Sequence, residues 1–169
     1  MKVIGIDLAG KPKNPTGFCV FESPGKSSPL GRVETKLIFS DQEILSHIEN
    51  EKPDCIAIDA PFWLPIQGNQ IATWRPPERE LLKKGFHPLS TALPTMRDLS
   101  LRASHLVKIL RERNYQVIEV FTRASERILN LSKKPKKNQD EYDALICALT
   151  AKAFLEKNYE DLGGIIIPK

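Results

Sequence analysis

Four carboxylates stand where apolar runs end or inside an apolar helix pattern. Asp7 ends Val3-Ile4-Gly5-Ile6-Asp7, Asp59 ends Cys55-Ile56-Ala57-Ile58-Asp59, Glu119 follows Val117-Ile118, and Asp143 lies within a later apolar segment. An ionised side chain placed against a core is costly unless a positive charge meets it. We therefore predict a metal site formed by these four residues, which would also be catalytic, with Asp140 as an additional ligand.

The predicted ligands are oxygen atoms, which Mg²⁺ and Mn²⁺ prefer. A pair of such ions can activate a water molecule on one side of a phosphate and stabilise the leaving oxygen on the other. His47, His87 and His105 show neither HxH nor HExxH spacing, so zinc is not indicated. The sequence predicts one or two Mg²⁺ or Mn²⁺ ions, with two favoured.

Each carboxylate also has a purely structural interpretation. Asp7 could cap a turn, and Asp59 could form an Asx turn before Pro61. Glu119 could face solvent on an edge strand, since strand side chains alternate. Asp143 could pair with nearby lysines or, with Asp140, serve the positive end of a helix.

The formal charge of +4 and the pI near 9.0 allow an anionic partner. Basic side chains concentrate in Lys133-Lys134-Pro135-Lys136-Lys137 and around Arg75 and Arg79. We predict phosphate contacts from Arg75, Arg79, Lys136 and Lys137. The alternatives are ordinary solvated surface and, for the two arginines, a surface ion pair with Glu78.

The first half of the chain predicts three strands, a helix and a fourth strand. The strands span residues 2–8, 17–22 and 32–39, and Gly/Pro/Lys-rich turns predict an antiparallel meander. Ser40 is the expected N-cap of a helix over residues 41–51, which ends before Pro53. A crossover of this kind predicts that the strand over residues 54–59 is parallel to a neighbour.

Residues 62–95 are rich in proline and are predicted to form an insertion or lid within a single domain of 169 residues. The later pattern predicts a helix over 96–114, a strand over 115–121, and helices over 123–131 and 139–156. A small edge strand is expected at 163–167. If the main strands lie parallel, Asp7, Asp59 and Glu119 emerge near one edge of the sheet.

Cys19, Cys55 and Cys147 stand in apolar runs without a shared short spacing, which predicts reduced core thiols. The N-terminal apolar run is too short for a signal peptide or a membrane span. We therefore expect a cytoplasmic protein without a membrane partner.

Several motifs together resemble a family of unknown function described as predicted nucleases. They are Gly5-Ile6-Asp7-Leu8-Ala9-Gly10 with Thr16-Gly17, Ala57-Ile58-Asp59-Ala60-Pro61, Arg75 to Leu81, Ile118-Glu119-Val120-Phe121, and Asp143-Ala144-Leu145-Ile146-Cys147-Ala148-Leu149-Thr150-Ala151. The resemblance spans nearly the whole chain.

This resemblance implies a ribonuclease-H-like α/β fold: a mixed five-stranded sheet, with three antiparallel strands plus parallel strands, flanked by helices and carrying a Pro-rich helical insertion. Asp7, Asp59 and Asp143 match its acidic positions, and Glu119 matches its strand-end glutamate. The chain departs from the pattern at Phe121-Thr122, where a proline is expected. The implied activity, nuclease, itself rests on fold analogy.

The function expected from these observations is hydrolysis of phosphodiester bonds by metal-activated water, with DNA or RNA as partner. Trp63 and Trp74 could stack on unpaired bases or cap the core. One alternative is a nucleic-acid-binding or scaffold protein with a vestigial acidic site. Another is phosphoryl chemistry of the actin-like and sugar-kinase type, which needs two related domains. The sequence leaves the oligomeric state open, a homodimer included.

Overall fold

The computed structural model describes residues 1–24, 31–68, 70–131 and 138–169. Its first three strands are β1 (Lys2–Asp7), β2 (Thr16–Glu22) and β3 (Arg32–Ile38). β1 pairs antiparallel with β2, and β2 pairs antiparallel with β3. The predicted meander is confirmed.

Helix α1 (Asp41–Glu51) makes the predicted crossover. The Ser40 side chain accepts a hydrogen bond from the Glu43 backbone N–H and caps the helix, as the sequence indicated. Strand β4 (Cys55–Asp59) follows and pairs parallel with β1. The predicted parallel pairing is therefore confirmed.

The proline-rich segment contains a small hairpin and a short helix. Strands β5 (Ile66–Gln67) and β6 (Gln70–Ile71) pair antiparallel, and helix α2 (Pro76–Lys83) follows. Helix α3 (Pro94–Glu112) leads back to the main sheet, where β7 (Val117–Val120) pairs parallel with β4.

The last part of the chain forms helix α4 (Thr122–Ile128), helix α5 (Gln139–Leu155), and strands β8 (Tyr159–Asp161) and β9 (Ile165–Pro168). The main sheet has seven strands in the order β3-β2-β1-β4-β7-β9-β8. The count of five implied by the resemblance is wrong, because the C-terminal segment adds two strands, β8 and β9, to β1–β4 and β7.

The turn between β8 and β9 explains this difference. The Asp161 carboxylate accepts hydrogen bonds from the Gly163 and Gly164 backbone N–H groups, and both glycines have positive φ. The chain can therefore reverse sharply. β9 pairs parallel with β7 and β8 takes the outer position, so the strand expected at 163–167 is not at the edge.

The sheet separates two apolar cores. Ile4, Ile6, Ile56 and Ile58 pack with α1 and α3 on one face. Alternate positions of the same strands, including Val3 and Ala57, pack with α5 on the other. Because successive side chains of a strand point to opposite faces, the position of a carboxylate in its strand determines the face of the sheet on which it lies.

Helix α5 lies directly on β1 and β2 because two glycines leave room for it. A Cβ atom at Gly5 would overlap the Ala144 carbonyl oxygen and the Ala148 nitrogen, and one at Gly17 would overlap the Asp140 carbonyl group. The close approach places the first turns of α5 against the ends of β1 and β2.

Other expectations are also tested by the fold. Cys19, Cys55 and Cys147 are buried and free, which confirms the prediction of reduced core thiols. Among the described helices, none has the length and apolar character needed to cross a membrane.

We predict that Gly17→Ala lowers the free energy of unfolding by about 1 to 3 kcal/mol or more, because the new methyl group overlaps the α5 backbone. Urea denaturation measures the change. Gly10→Ala is the matched control, since a Cβ there would first meet the Leu99 nitrogen at an ordinary 3.5 Å. Equal unfolding midpoints for the two variants would contradict this packing.

Candidate metal centre

Asp7 and Asp59 lie side by side at the carboxyl ends of neighbouring strands. Each is the last residue of its strand, and the parallel register of β1 and β4 pairs them directly. Both side chains are half-buried and line one cavity. This register places the two side chains at the same edge of the sheet.

Helix α5 brings two further carboxylates to the same place. The Asn138 side chain accepts hydrogen bonds from the backbone N–H groups of Asp140 and Glu141 and so fixes where the helix begins. Asp143 is half-buried and lines the cavity with Asp7 and Asp59. Asp140 lies one turn earlier, close enough for its charge to act on Asp7.

The crowding of these groups is visible in their proton affinities. Burial, followed by the charges of Asp59, Asp143 and Asp140, raises the pKa of Asp7 to about 8. Burial also raises the pKa of Asp59 to about 6, although hydrogen bonds from Thr122 oppose the rise. Within the described part of the chain, no basic side chain forms an ion pair with Asp7 or Asp59.

Two polar side chains orient the acidic residues. The Thr122 hydroxyl donates a hydrogen bond to the Asp59 carboxylate, and its backbone N–H lies 3.4 Å from the same oxygen. The Gln139 amide donates to both oxygens of Asp143 at 2.7 Å. Asp7 accepts no hydrogen bond from any described residue, so the turn-capping interpretation of Asp7 has no support.

The chemistry of this donor set fits a hard divalent cation. The donors are carboxylate oxygens, and the nearby Cys147 thiol donates to the Ile6 carbonyl oxygen at 3.5 Å. Burial and the neighbouring carboxylates raise the Cys147 pKa well above its usual value, so the thiol stays protonated. A cation between Asp7, Asp59 and Asp143 would offset their mutual repulsion.

The positions of these donor atoms fit a metal site less well than their chemistry does. Among the described residues, no three His, Cys, Asp or Glu side chains converge closely enough to hold one ion. Asp59 is turned toward Thr122 and Asp143 toward Gln139. Some rearrangement of the carboxylates is therefore needed before the three could share one ion.

Glu119 lines the same cavity as the aspartates, and its charge adds to the rise in the Asp59 pKa, but it reaches the cavity from the other face of the sheet. Its register partner is Ile58, so its side chain lies on the α3 face of the sheet, whereas Asp7 and Asp59 lie on the α5 face. It is 5% exposed in a strand flanked by β4 and β9, which rules out the solvent-facing interpretation. A ligand role for Glu119 stays a prediction.

Arg75 holds Glu119 in this position. The Arg75 guanidinium donates to both oxygens of Glu119 and, through Nε, to Glu78 Oε1 at 2.9 Å. The Phe62 backbone N–H adds a hydrogen bond of 2.9 Å to Glu119. Burial raises the Glu119 pKa, and the Arg75 charge opposes that rise.

The predicted phosphate-binding residues lie in different places. Arg75 is 1% exposed, and its guanidinium pairs with the carboxylates of Glu78 and Glu119. These partners differ from the phosphate group that the sequence predicted for it. Arg79 is exposed in a groove with Trp63 and Trp74, outside the acidic cavity. Lys136 and Lys137 lie outside the described residues.

Thr122 and Arg123 are site residues that the sequence reasoning missed. Both line the cavity, and Arg123 is exposed and makes no ion pair within the described part of the chain. The available signal was their position directly after β7, because residues that follow parallel strands collect at one edge of the sheet. Arg123 is the basic side chain best placed to meet an anion there.

The cavity has a volume of about 230 Å³. Asp7, Asp59 and Asp143 are on its polar side, while Leu8, Pro88, Leu89, Met96 and Leu99 supply much of an apolar wall. Residues from the proline-rich segment thus form part of the cavity that the acidic side chains line. The arrangement can enclose a small charged group next to an apolar one.

These observations define a ribonuclease-H-like α/β fold with an acidic cluster at the carboxyl edge of its sheet. The chain is similar in structure to RuvC of Thermus thermophilus in complex with a Holliday junction substrate, with a TM-score of 0.54 and 14% identity over 93% of this chain and 96% of that one. A second Thermus thermophilus RuvC structure gives a TM-score of 0.51 and 17% identity, covering 100% of both chains.

At such identities the likeness shows the fold alone. No protein-family model matches the chain, and no curated protein matches it.

We predict that Asp7→Asn raises the melting temperature in EDTA, and does so more at pH 8 than at pH 5. The Asp7 pKa is about 8 when folded and near 3.8 ordinarily, so the folded state binds more protons between these values. The folded protein therefore loses stability as pH rises from about 4 to about 8, because Asp7 must ionise in the folded state. Asparagine does not ionise, so the variant does not lose this stability.

Differential scanning calorimetry at both pH values measures the effect. We expect a differential gain of at least about 1 kcal/mol, or roughly 2 to 4 °C. Asp54→Asn is the control, since Asp54 stands at the opposite end of β4. A gain in melting temperature at pH 8 no larger than at pH 5 would show that ionisation of Asp7 does not destabilise the folded protein.

Proposed function

We propose that this protein is a divalent-metal-dependent nuclease that hydrolyses phosphodiester bonds. The observation that carries the proposal is the crowding of Asp7, Asp59 and Asp143 around one cavity at the carboxyl edge of a ribonuclease-H-like sheet. Membership of the predicted-nuclease family that its motifs resemble is part of this proposal. So is a location in the cytoplasm.

Each residue has a defined part in the proposed reaction. Asp7, Asp59 and Asp143 would hold Mg²⁺ or Mn²⁺, with Asp140 adding negative charge. Bound divalent ions supply an activated water and neutralise charge on the leaving oxygen. Thr122 orients Asp59, and Arg123 would contact a phosphate oxygen with its guanidinium fork.

Nucleic acid is the proposed partner. The net charge of +4 favours a polyanion, and one RuvC with the same fold is bound to a Holliday junction substrate. Residues 62–95, as an insertion or lid, would select the substrate because several of them line the cavity. The cleavage assay described next distinguishes DNA from RNA as the substrate.

The test is a cleavage assay on labelled DNA and RNA, presented as single strands, duplexes and four-way junctions, with Mg²⁺, Mn²⁺ or EDTA. We expect cleavage only with a divalent ion and a fall of at least roughly 100-fold in Asp7→Asn and Asp59→Asn, because each would remove a ligand charge. Asp54→Asn should keep full activity.

Circular dichroism of each variant confirms folding before the comparison. Cleavage that persists in EDTA, or that is equal in folded Asp59→Asn and wild type, would overturn the proposal. Binding without cleavage of any substrate would favour the alternative of a nucleic-acid-binding protein with a vestigial acidic site.

A further inference from the structure

A large aromatic side chain stands exposed beside the acidic cavity. Trp63 is 46% exposed, although tryptophan is highly buried on average, and it belongs to none of the apolar cores of the described residues. Its indole lines two shallow grooves. One also contains Trp74 and Arg79, and the other contains Lys108 and Arg111.

The side chains around Trp63 carry mostly positive charge. Arg79 and Lys108 are exposed and form no ion pair with any described carboxylate, and Arg111 is exposed with its guanidinium 5.6 Å from the Phe62 ring centroid. Glu112 is the one acidic residue among those that line the two grooves. This surface therefore suits an anion that also has flat apolar faces.

A short chain of contacts joins this surface to the acidic site. The Arg75 guanidinium carbon lies 5.3 Å from the centre of the Trp63 ring, and the same guanidinium is bonded to Glu119, which lines the cavity. Phe62, the residue before Trp63, donates its backbone N–H to Glu119. The indole is thereby held in a defined position at the side of the cavity.

Arg75 contacts the indole and leaves much of it open to solvent. Bases stack on exposed aromatic rings with little regard for sequence, and basic side chains follow the phosphates. A duplex cannot offer the same contact, since its bases are already stacked on their neighbours and paired. The chemistry of the surface thus matches an unpaired strand.

We propose that Trp63, with Trp74, Arg79 and Lys108, binds the unpaired bases and phosphates of a nucleic-acid strand. The surface selects single-stranded or locally opened substrate and presents it to the acidic cavity. This substrate class rests on the proposed nuclease function, whereas the binding itself does not.

Tryptophan fluorescence tests the proposal in EDTA, so that no cleavage takes part. The chain has two tryptophans, and a Trp74→Phe background leaves Trp63 as the sole indole. The probes are dT12, rU12, an abasic 12-mer with the same phosphates, and a blunt 12-base-pair duplex. The first two probes distinguish DNA from RNA.

We expect dT12 or rU12 to quench Trp63 and to bind more tightly than the abasic strand and the duplex. In the same background, fluorescence anisotropy of labelled probes should show that Trp63→Ala weakens binding of the unpaired strand by roughly 5- to 100-fold. Binding of the abasic strand should be nearly unchanged. Trp63→Phe should retain most of the affinity because it keeps an aromatic face.

With folding of the variant confirmed by circular dichroism, equal weakening on the abasic strand would mean that Trp63 does not contact the bases. Tighter binding of the duplex would mean that the surface does not select unpaired bases. Either result overturns the proposal. Failure of the nuclease assay with intact, Trp63-dependent binding would reject the proposed function alone. Asp59-dependent cleavage with Trp63-independent binding would reject this surface alone.

Discussion

The contact between helix α5 and the first two strands determines the rest of the acidic site. Gly5 and Gly17 carry no Cβ atom, so the helix backbone lies directly on β1 and β2. This brings Asp143 to the cavity that Asp7 and Asp59 already line. A larger residue at either position would push the helix away and separate the carboxylates.

The cost of this arrangement is electrostatic. Burial and mutual repulsion raise the pKa values of Asp7 and Asp59 to about 8 and about 6, so the site favours a bound proton or a bound cation. A fold gains nothing in stability from such crowding, and perturbed carboxylates in a cavity are typical of functional sites. The raised pKa values of Asp7 and Asp59 are therefore a physical reason to regard this cavity as the candidate functional site.

The proline-rich segment is attached by a second buried charge cluster. Arg75 pairs with Glu78 in its own segment and with Glu119 in the sheet, and all three side chains are buried. Breaking a buried pair leaves a charge without a partner, so Arg75 and Glu119 depend on each other. The same guanidinium contacts Trp63, which couples the position of the exposed indole to the sheet.

The sequence predicted much of this architecture because the signals were local. Continuous apolar runs marked the main strands, Ser40 marked a helix start, and strand-end positions identified Asp7 and Asp59. The face of Glu119 could not be predicted, since a shift of one residue in the register of β7 reverses it. One partner of Arg75, Glu119, lies 44 positions away in the chain, and the β8–β9 hairpin depends on a turn closed by Asp161.

The proposed nuclease function depends above all on a divalent-cation site formed by Asp7, Asp59 and Asp143. Isothermal titration of Mn²⁺ into the wild type and into a folded Asp7→Asn/Asp59→Asn variant tests it most directly. We expect saturable binding by the wild type and its loss in the variant. Absent binding in the wild type, or equal binding in both proteins, would contradict it and leave the carboxylates structural.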